Sequence, residues 1–159
     1  MRKQNLLRPF LIFCLIAYLT IVCWLLFVNV GTTERSTYYV NPDDHFVPFQ
    51  GTIDMIKLAK KFNFQGFYLK MLVRNIIGNL VLLLPWGLLS PLIFRHLKSY
   101  TSIMLSAFLI SFCAEAIQFL FSLGIFDVDD IIYNTFGAMA GFFILQFIRH
   151  RFKTYRIST

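Results

Sequence analysis

The chain has 159 residues, of which 57% are hydrophobic, 18% aromatic and only 14% charged, and its net charge is +7. Soluble domains carry roughly a quarter of charged residues, so this composition excludes an ordinary water-soluble protein and indicates a surface that faces lipid. The three cysteines, Cys14, Cys23 and Cys113, lie in apolar segments, where burial as small side chains is expected rather than a disulfide or a metal site.

Four segments are long enough to cross a hydrocarbon core, which takes about 20 mostly apolar residues. They are residues 10–30, 76–94, 100–123 and 128–148. The sequence therefore predicts one all-α domain over residues 1–159, an integral membrane bundle of four transmembrane helices with a long loop at 31–75. The first segment is not followed by a small-residue cleavage site, so we expect a retained helix rather than a cleaved signal peptide.

The distribution of basic residues predicts the orientation of these spans. Three groups of bases flank them: Arg2, Lys3 and Arg8 in the leader, Arg95 and Lys98 in the second loop, and Arg149, Arg151, Lys153 and Arg156 in the tail. Because basic residues concentrate on the cytoplasmic side, both termini are expected in the cytoplasm and loops 31–75 and 124–127 outside. The positive charge is expected to meet anionic lipid headgroups rather than nucleic acid.

The long first loop contains an amphipathic helix pattern at 52–62. Its apolar face comprises Met55, Leu58, Ala59 and Phe62, and its polar face comprises Asp54, Lys57, Lys60 and Lys61. Two interpretations remain open: the helix lies in the outer headgroup region, or it caps the bundle through the same apolar face. Upstream, Asp43, Asp44 and His45 follow a turn sequence, where a solvated loop is favoured over a metal site.

The second span combines polar and helix-breaking residues. Asn75 and Asn79 lie one helical turn apart near its predicted outer end. Pro85, followed by Gly87, is expected to kink the helix and to free a carbonyl group in its middle.

The third span carries Ser111, Glu115, Gln118 and Ser122 at offsets of four, seven and eleven residues, which places them on one helical face. A charged side chain inside a membrane costs roughly 3 kcal/mol on insertion scales. Glu115 therefore requires a hydrogen-bonding partner, a proton or a water-filled cavity.

One stripe of the fourth span carries acidic residues at its start and small residues further along the helix. It contains Asp127, Asp130, Asn134, Gly137 and Gly141, with Asp129 beside it. The spacing of the glycines favours close packing of membrane helices, and we expect this face to meet the third span. The acids suit either a ligand site or routine capping of a helix N-terminus.

The predicted topology gathers these polar groups in the outer leaflet. The candidate ligand-binding residues are Asn79, Glu115, Gln118, Asp127, Asp129, Asp130 and Asn134, and the candidate helix-packing residues are Pro85, Gly87, Gly137 and Gly141. No metal ligand set and no cofactor motif is expected.

Several of these motifs together resemble the VanZ-like membrane proteins. The matching stretches are VPF at 47–49, NLVLLLPWG at 79–87, EAIQ at 115–118 and DVDDIIYNTFG at 127–137. The resemblance implies a bacterial cytoplasmic-membrane protein, and the founding member of the family is associated with resistance to teicoplanin-type glycopeptide antibiotics. Family sequences commonly have a basic residue just before the acidic run, where this chain has Gly124-Ile125-Phe126. If that base contacts a ligand, this chain must supply the contact from elsewhere.

Three functions remain open. The first is a binding protein that engages or shields an envelope lipid, a lipid-linked cell-wall precursor or a lipoglycopeptide. The second is a membrane enzyme acting on a lipid-linked substrate through Glu115 and Asp127, Asp129 and Asp130, although no nucleophile-plus-base motif supports it. The third is a small transporter or flippase subunit, which would need a homo-oligomer because four helices enclose little space.

Overall fold

The fold was obtained as a computed structural model that describes residues 2–27, 45–63 and 66–157, with side chains described over 7–27, 45–63 and 66–151. Within these ranges the chain forms helices and no strands. The helices are α1 (Arg2–Phe27), α2 (Gln50–Lys61), α3 (Phe67–Leu82), α4 (Leu84–Ile93), α5 (Tyr100–Leu120) and α6 (Val128–Ile157). Asp43 and Asp44, in the loop where a solvated turn is predicted, lie outside the described residues.

Four helical stretches are long and apolar enough to cross a membrane, which confirms the predicted all-α class. They are Leu7–Phe27, Phe67–Ile93, Tyr100–Leu120 and Val128–Arg151. The second begins nine residues before the predicted start at Ile76. The prediction was wrong there because Lys70 and Arg74 interrupt the apolar run, whereas long basic side chains at a helix end can extend their charge to the membrane surface.

The third span ends earlier than predicted, at Leu120. Ser122 adopts the left-handed conformation with φ 54°. The amide of Ser122 donates to the carbonyl of Phe119 and that of Leu123 to the carbonyl of Gln118. This pair of bonds is the Schellman motif that closes many helices. Ser122 therefore leaves the polar face on which the helical period placed it.

The second span is divided at Leu83, two residues before Pro85. Proline cannot donate the backbone hydrogen bond that would continue the helix, so carbonyl groups in the preceding turn are left for other donors. One of them, the carbonyl of Leu82, accepts a 2.6 Å hydrogen bond from the Tyr18 hydroxyl of α1.

Helix α6 packs between α3 and α4 on one side and α5 on the other. A Cβ atom built on Gly137 would lie 1.9 Å from the carbonyl oxygen of Leu80, and one on Gly141 2.1 Å from that of Leu84. The glycine face thus meets α3 and α4, the second span, and the expectation that it meets the third span was wrong. Gly87 on α4 is equally close to the backbone of α6, 1.9 Å from the carbonyl oxygen of Ala138, so small residues on both helices form this contact.

The apolar core adjoins this contact, because Ala138 and Phe142 belong to both. It is formed by Leu83, Ile103, Ala107, Ala138, Phe142 and Leu145. Helix α1 is peripheral: it packs mainly on α4 and α5, and of its described side chains only Leu15 and Val22 are buried. Exposed residues such as Phe13 and Trp24 on α1 are the surface expected of a helix that faces lipid.

Helix α2 packs on α3 and buries Gly51, Thr52 and Ala59. Next to this face, Phe62 stacks on Tyr68 of α3 with ring centroids 4.4 Å apart. These contacts agree with the interpretation in which α2 caps the bundle through its apolar face. Ile53 and Ile56 remain about 40% exposed at the edge of the helix (43% and 40%), which leaves an apolar strip for contact with headgroups.

Candidate functional site

The N-terminus of α6 is held by a chain of carboxylates. Asp127 precedes the helix, and its Oδ1 accepts a 2.9 Å hydrogen bond from the amide of Asp129, which is the geometry of an N-cap. The amide of Asp127 in turn donates to Oε2 of Glu115 at 3.1 Å. Glu115 is 3% exposed, so the buried glutamate of α5 binds the backbone at the start of α6. This contact gives Glu115 one of the partners that its position in the span requires.

Asp129 caps a different helix. Its Oδ2 accepts hydrogen bonds from the amide of Thr52 at 3.0 Å and from the Thr52 hydroxyl at 2.7 Å, and its Oδ1 accepts one from the amide of Phe49. The amides in the first turn of a helix have no partner within the helix, and the helix dipole favours an anion there. Asp129, which is 3% exposed, therefore fastens α2 to the first turn of α6.

Asp130 joins α6 to α3. Its Oδ1 accepts hydrogen bonds from the side-chain amides of both Asn75, at 3.1 Å, and Asn79, and the carboxylate is 2% exposed. One helical turn later, Asn134 donates to the Ser111 hydroxyl of α5 at 2.9 Å. The polar residues of the stripe on α6 thus contact the second span, through α3, and the third span, α5. The glycines of the stripe contact the second span, through α3 and α4.

Gln118 lies apart from this group. Its amide donates to the carbonyl of Leu26 at 2.8 Å and so ties the end of α1 to α5. The seven candidate residues therefore do not form one hydrogen-bonded cluster. Their contacts join helices to one another: Glu115 and Asn134 connect α5 with α6, Asp129 and Asp130 connect α2 and α3 with α6, and Gln118 connects α1 with α5.

His45 completes this region and was not among the predicted site residues. Its Nδ1 lies 3.0 Å from Oδ2 of Asp127. The adjacent Phe46 stacks on Phe126, which also contacts Phe112 of α5, so aromatic contacts hold this segment against the bundle. The sequence placed His45 in a solvated loop because nothing local indicates a partner 82 residues away.

A cavity of about 570 Å³ opens beside these contacts, between α3 and the end of α1. One face of α3 supplies most of its wall, with residues at helical spacing: Phe67, Lys70, Met71, Arg74, Asn75, Gly78, Asn79 and Leu82. The remaining wall residues are Leu25 and Leu26 of α1, Met55 of α2, and His45, Ile125 and Asp127. Among the described helices, α1 packs mainly on α4 and α5 rather than on this face of α3, which lines the cavity.

Of the predicted ligand-binding residues, only Asn79 and Asp127 line this cavity. Glu115, Gln118, Asp129, Asp130 and Asn134 are not among its lining residues. The sequence analysis missed Lys70, Arg74 and Gly78 as site residues. A signal was available, since Lys70, Arg74, Gly78 and Leu82 follow one another at intervals of four residues.

The charges around the cavity are unevenly distributed. The side chains of Lys70 and Arg74 make no hydrogen bond or ion pair with another described residue. Among the described residues, no group of three or more His, Cys, Asp and Glu side chains is arranged to hold a metal ion. The cavity therefore contains two basic side chains, the side-chain amides of Asn75 and Asn79, and the Asp127 carboxylate beside His45. Its wall along α3 ends at the apolar residue Leu82.

Comparison with known proteins agrees with the motifs. A family profile described as VanZ/LLP1 matches residues 13–149 of the chain. Protein VanZ of Enterococcus faecium is 32% identical over 68 residues, which cover 43% of this chain and 42% of that protein. The aligned region thus spans less than half of this curated relative. No solved structure matches the chain. Because the profile covers most of the sequence, the chain belongs to the VanZ/LLP1 family.

Proposed function

We propose that this protein binds an envelope lipid or a lipid-linked cell-wall precursor in the α1–α3 cavity and thereby lowers the access of teicoplanin-type glycopeptides to their target. The observation that carries the proposal is the cavity itself, which combines polar and basic groups with an apolar wall along one face of α3. Pockets for small amphiphiles are mostly apolar with a few polar groups that orient the ligand.

The length of the cavity wall suits an amphiphile. Phe67 and Leu82 are fifteen residues apart on helix α3, roughly 22 Å along the axis at 1.5 Å per residue. That distance is close to the depth from a headgroup to the middle of a bilayer, since a bilayer is about 40–45 Å thick with its headgroups included. A headgroup near Lys70 and a chain directed toward Leu82 would match the order of polar and apolar residues.

The contacts of the carboxylates support binding over catalysis. Glu115, Asp127 and Asp129 each accept a hydrogen bond from a backbone amide, and Asp130 accepts from two side-chain amides. A general acid or base must reach the reacting atoms of a substrate. Among these four acids only Asp127 lines the cavity.

The outer-leaflet position in this proposal depends on the topology that the basic residues predict. In a variant with Cys14, Cys23 and Cys113 replaced by alanine, we expect Lys60→Cys to react with an impermeant thiol reagent in intact cells and Arg151→Cys to react only after lysis. Both side chains are exposed, so access to solvent within the protein is comparable. Labelling of Arg151→Cys alone would place the cavity on the cytoplasmic side.

Filling the cavity tests the proposal directly. Gly78 lines the cavity, and a Cβ atom built on it meets nothing within 4 Å. We therefore expect Gly78→Phe to fold normally, because glycine is also the poorer helix former by about 1 kcal/mol. It should retain much less lipid than the wild type when native mass spectrometry is applied to the detergent-purified full chain, and it should lose the protection against teicoplanin that the wild type confers.

The matched control is Ile77→Phe, which adds similar bulk at the next position. Ile77 is 51% exposed and is not a cavity residue, so lipid retention and protection should stay at the wild-type level. Equal lipid retention by folded Gly78→Phe and wild type would show that the cavity is not the binding site. A wild type that retains no lipid and changes no susceptibility would overturn the proposed function.

A further inference from the structure

We infer that the cavity selects an amphiphile whose headgroup carries a phosphate next to a hydrogen-bond donor. This inference rests on the proposed function and specifies its ligand chemistry. It follows from two features of α3, the basic pair of Lys70 and Arg74 and the buried side-chain oxygen of Asn75.

The basic pair is arranged for one anionic group. Lys70 and Arg74 are one helical turn apart on the cavity face, about 6 Å along the axis. No described carboxylate pairs with either of them: Asp54 pairs with Lys57, Asp127 lies beside His45, and the Asp129 carboxylate binds the first turn of α2. Arginine binds phosphate oxygens through two parallel hydrogen bonds and lysine binds them as a point charge.

Asn75 adds a requirement for a donor. Its Nδ2 donates a hydrogen bond to Oδ1 of Asp130. Because a carboxylate oxygen accepts hydrogen bonds, this contact places the nitrogen, and not the oxygen, of the Asn75 side-chain amide toward Asp130. Oδ1 of the same amide is buried and has no hydrogen-bond partner within the part of the chain that the structure describes. Buried polar atoms are nearly always paired, and Asn75 lines the cavity, so a hydroxyl, an ammonium or an amide N–H of a ligand is the expected partner.

Both features lie on the cavity wall, within five residues of α3 or about 8 Å along its axis. A phosphate held by the basic pair would leave the rest of the headgroup within reach of Asn75. This is the order of groups in phospholipids with hydroxyl or ammonium headgroups and in polyprenyl phosphate sugars.

The test compares lipids that differ in one group each. Purified full-length protein in detergent is titrated with phosphatidylglycerol, phosphatidylethanolamine, phosphatidylcholine, diacylglycerol or a polyprenyl-phosphate N-acetylglucosamine, and bound lipid is measured by native mass spectrometry. Phosphatidylethanolamine and phosphatidylcholine share the phosphate and the net charge, but methylation removes the N–H donors of the second. We expect the first to bind about tenfold more tightly, the change produced by one hydrogen bond to a charged group.

The phosphate requirement is tested by comparison with diacylglycerol and by neutralising the basic pair. Phosphatidylglycerol should bind more tightly than diacylglycerol by at least about tenfold, and Lys70→Gln with Arg74→Gln should abolish that preference. Lys60→Gln with Lys61→Gln is the matched control, because these two exposed bases of α2 are not cavity residues. Their neutralisation should leave the preference unchanged.

The outcomes separate this inference from the proposed function. Equal binding of all five lipids to the cavity, abolished by Gly78→Phe, would keep the lipid-binding function and overturn the phosphate selectivity. Binding of none of them would overturn both. Tighter binding of the polyprenyl phosphate sugar than of the glycerophospholipids would assign the site to cell-wall precursors, and the reverse order would assign it to bulk lipid. Displacement of bound lipid by inorganic phosphate alone would assign the basic pair to a free anion and overturn the lipid assignment.

Discussion

Gly137→Ala is expected to destroy the packing of the bundle, although it adds a single methyl group and makes the helix more apolar. The new Cβ would lie 1.9 Å from the carbonyl oxygen of Leu80 and 2.8 Å from its carbonyl carbon. These are backbone atoms, so no side-chain rotation relieves the overlap and α6 must move away from α3. Ordinary overpacking costs roughly 1–3 kcal/mol, and a clash with backbone is expected to cost more. Loss of membrane abundance and of the thermal transition in detergent is the expected result.

Gly78→Ala is the matched control for this variant. It also replaces a helical glycine in a membrane span, but its Cβ meets nothing within 4 Å. Its thermal stability should equal or slightly exceed that of the wild type, because alanine favours the helix by about 1 kcal/mol. If Gly137→Ala were as stable as Gly78→Ala, the close contact of α3 and α6 would be refuted.

The glycine face also shows what the sequence could and could not predict. The spacing of Gly137 and Gly141 indicates a close helix contact, because helical periodicity is a local property. The partner helix is not local: the choice between α3 and α5 depends on which of them offers a complementary surface. Gly87 and the carbonyl groups above Pro85 provide that surface on α3 and α4. The sequence analysis favoured the third span, α5, and nothing in the chain's local pattern corrected it.

The candidate site was predicted in the same uneven way. Burial of Glu115 and Gln118 follows from the apolar sequence around them, and the contact of Asn79 with Asp130 joins two of the predicted residues. The contacts of His45 and Thr52 could not be predicted, since their partners on the fourth span are 82 and 77 residues away. The cavity was missed for a physical reason as well: it lies between α1, α2 and α3, whose packing on one another no periodicity encodes.

Asp129→Ala is expected to release α2 while the transmembrane bundle stays folded. Three hydrogen bonds are lost together, those from the amides of Phe49 and Thr52 and that from the Thr52 hydroxyl, which keeps its contact with the Tyr133 hydroxyl. A hydrogen bond to a charged group contributes roughly 1.5–3 kcal/mol. The loss of the three is expected to lower the local free energy of opening by at least about 3 kcal/mol, which is more than a hundredfold in amide exchange rate at 1.4 kcal/mol per tenfold.

The release can be followed with trypsin, because α2 carries Lys57, Lys60 and Lys61. The wild type should resist cleavage at these lysines and Asp129→Ala should be cut there, while amide exchange in α5 and α6 stays slow, as expected for local rather than global unfolding.

Asp54→Ala is the control. Asp54 is an acid on α2 whose pKa is lowered by hydrogen bonds from Lys57 and Gln50, and its ion-pair partner Lys57 is 66% exposed. Exposed pairs contribute about 0–1 kcal/mol, so this variant should remain protected.

The result also bears on the cavity. Helix α2 contributes Met55 to its wall, and His45 lies just before the helix. Undocking of α2 should therefore weaken lipid retention even though Asp129 itself is not a cavity residue. An Asp129→Ala protein that is cut at the α2 lysines but retains lipid like the wild type would show that α3 and α1 alone form the binding surface. Equal trypsin resistance of Asp129→Ala and wild type would show that the contact of Asp129 with Thr52 does not hold α2 on the bundle.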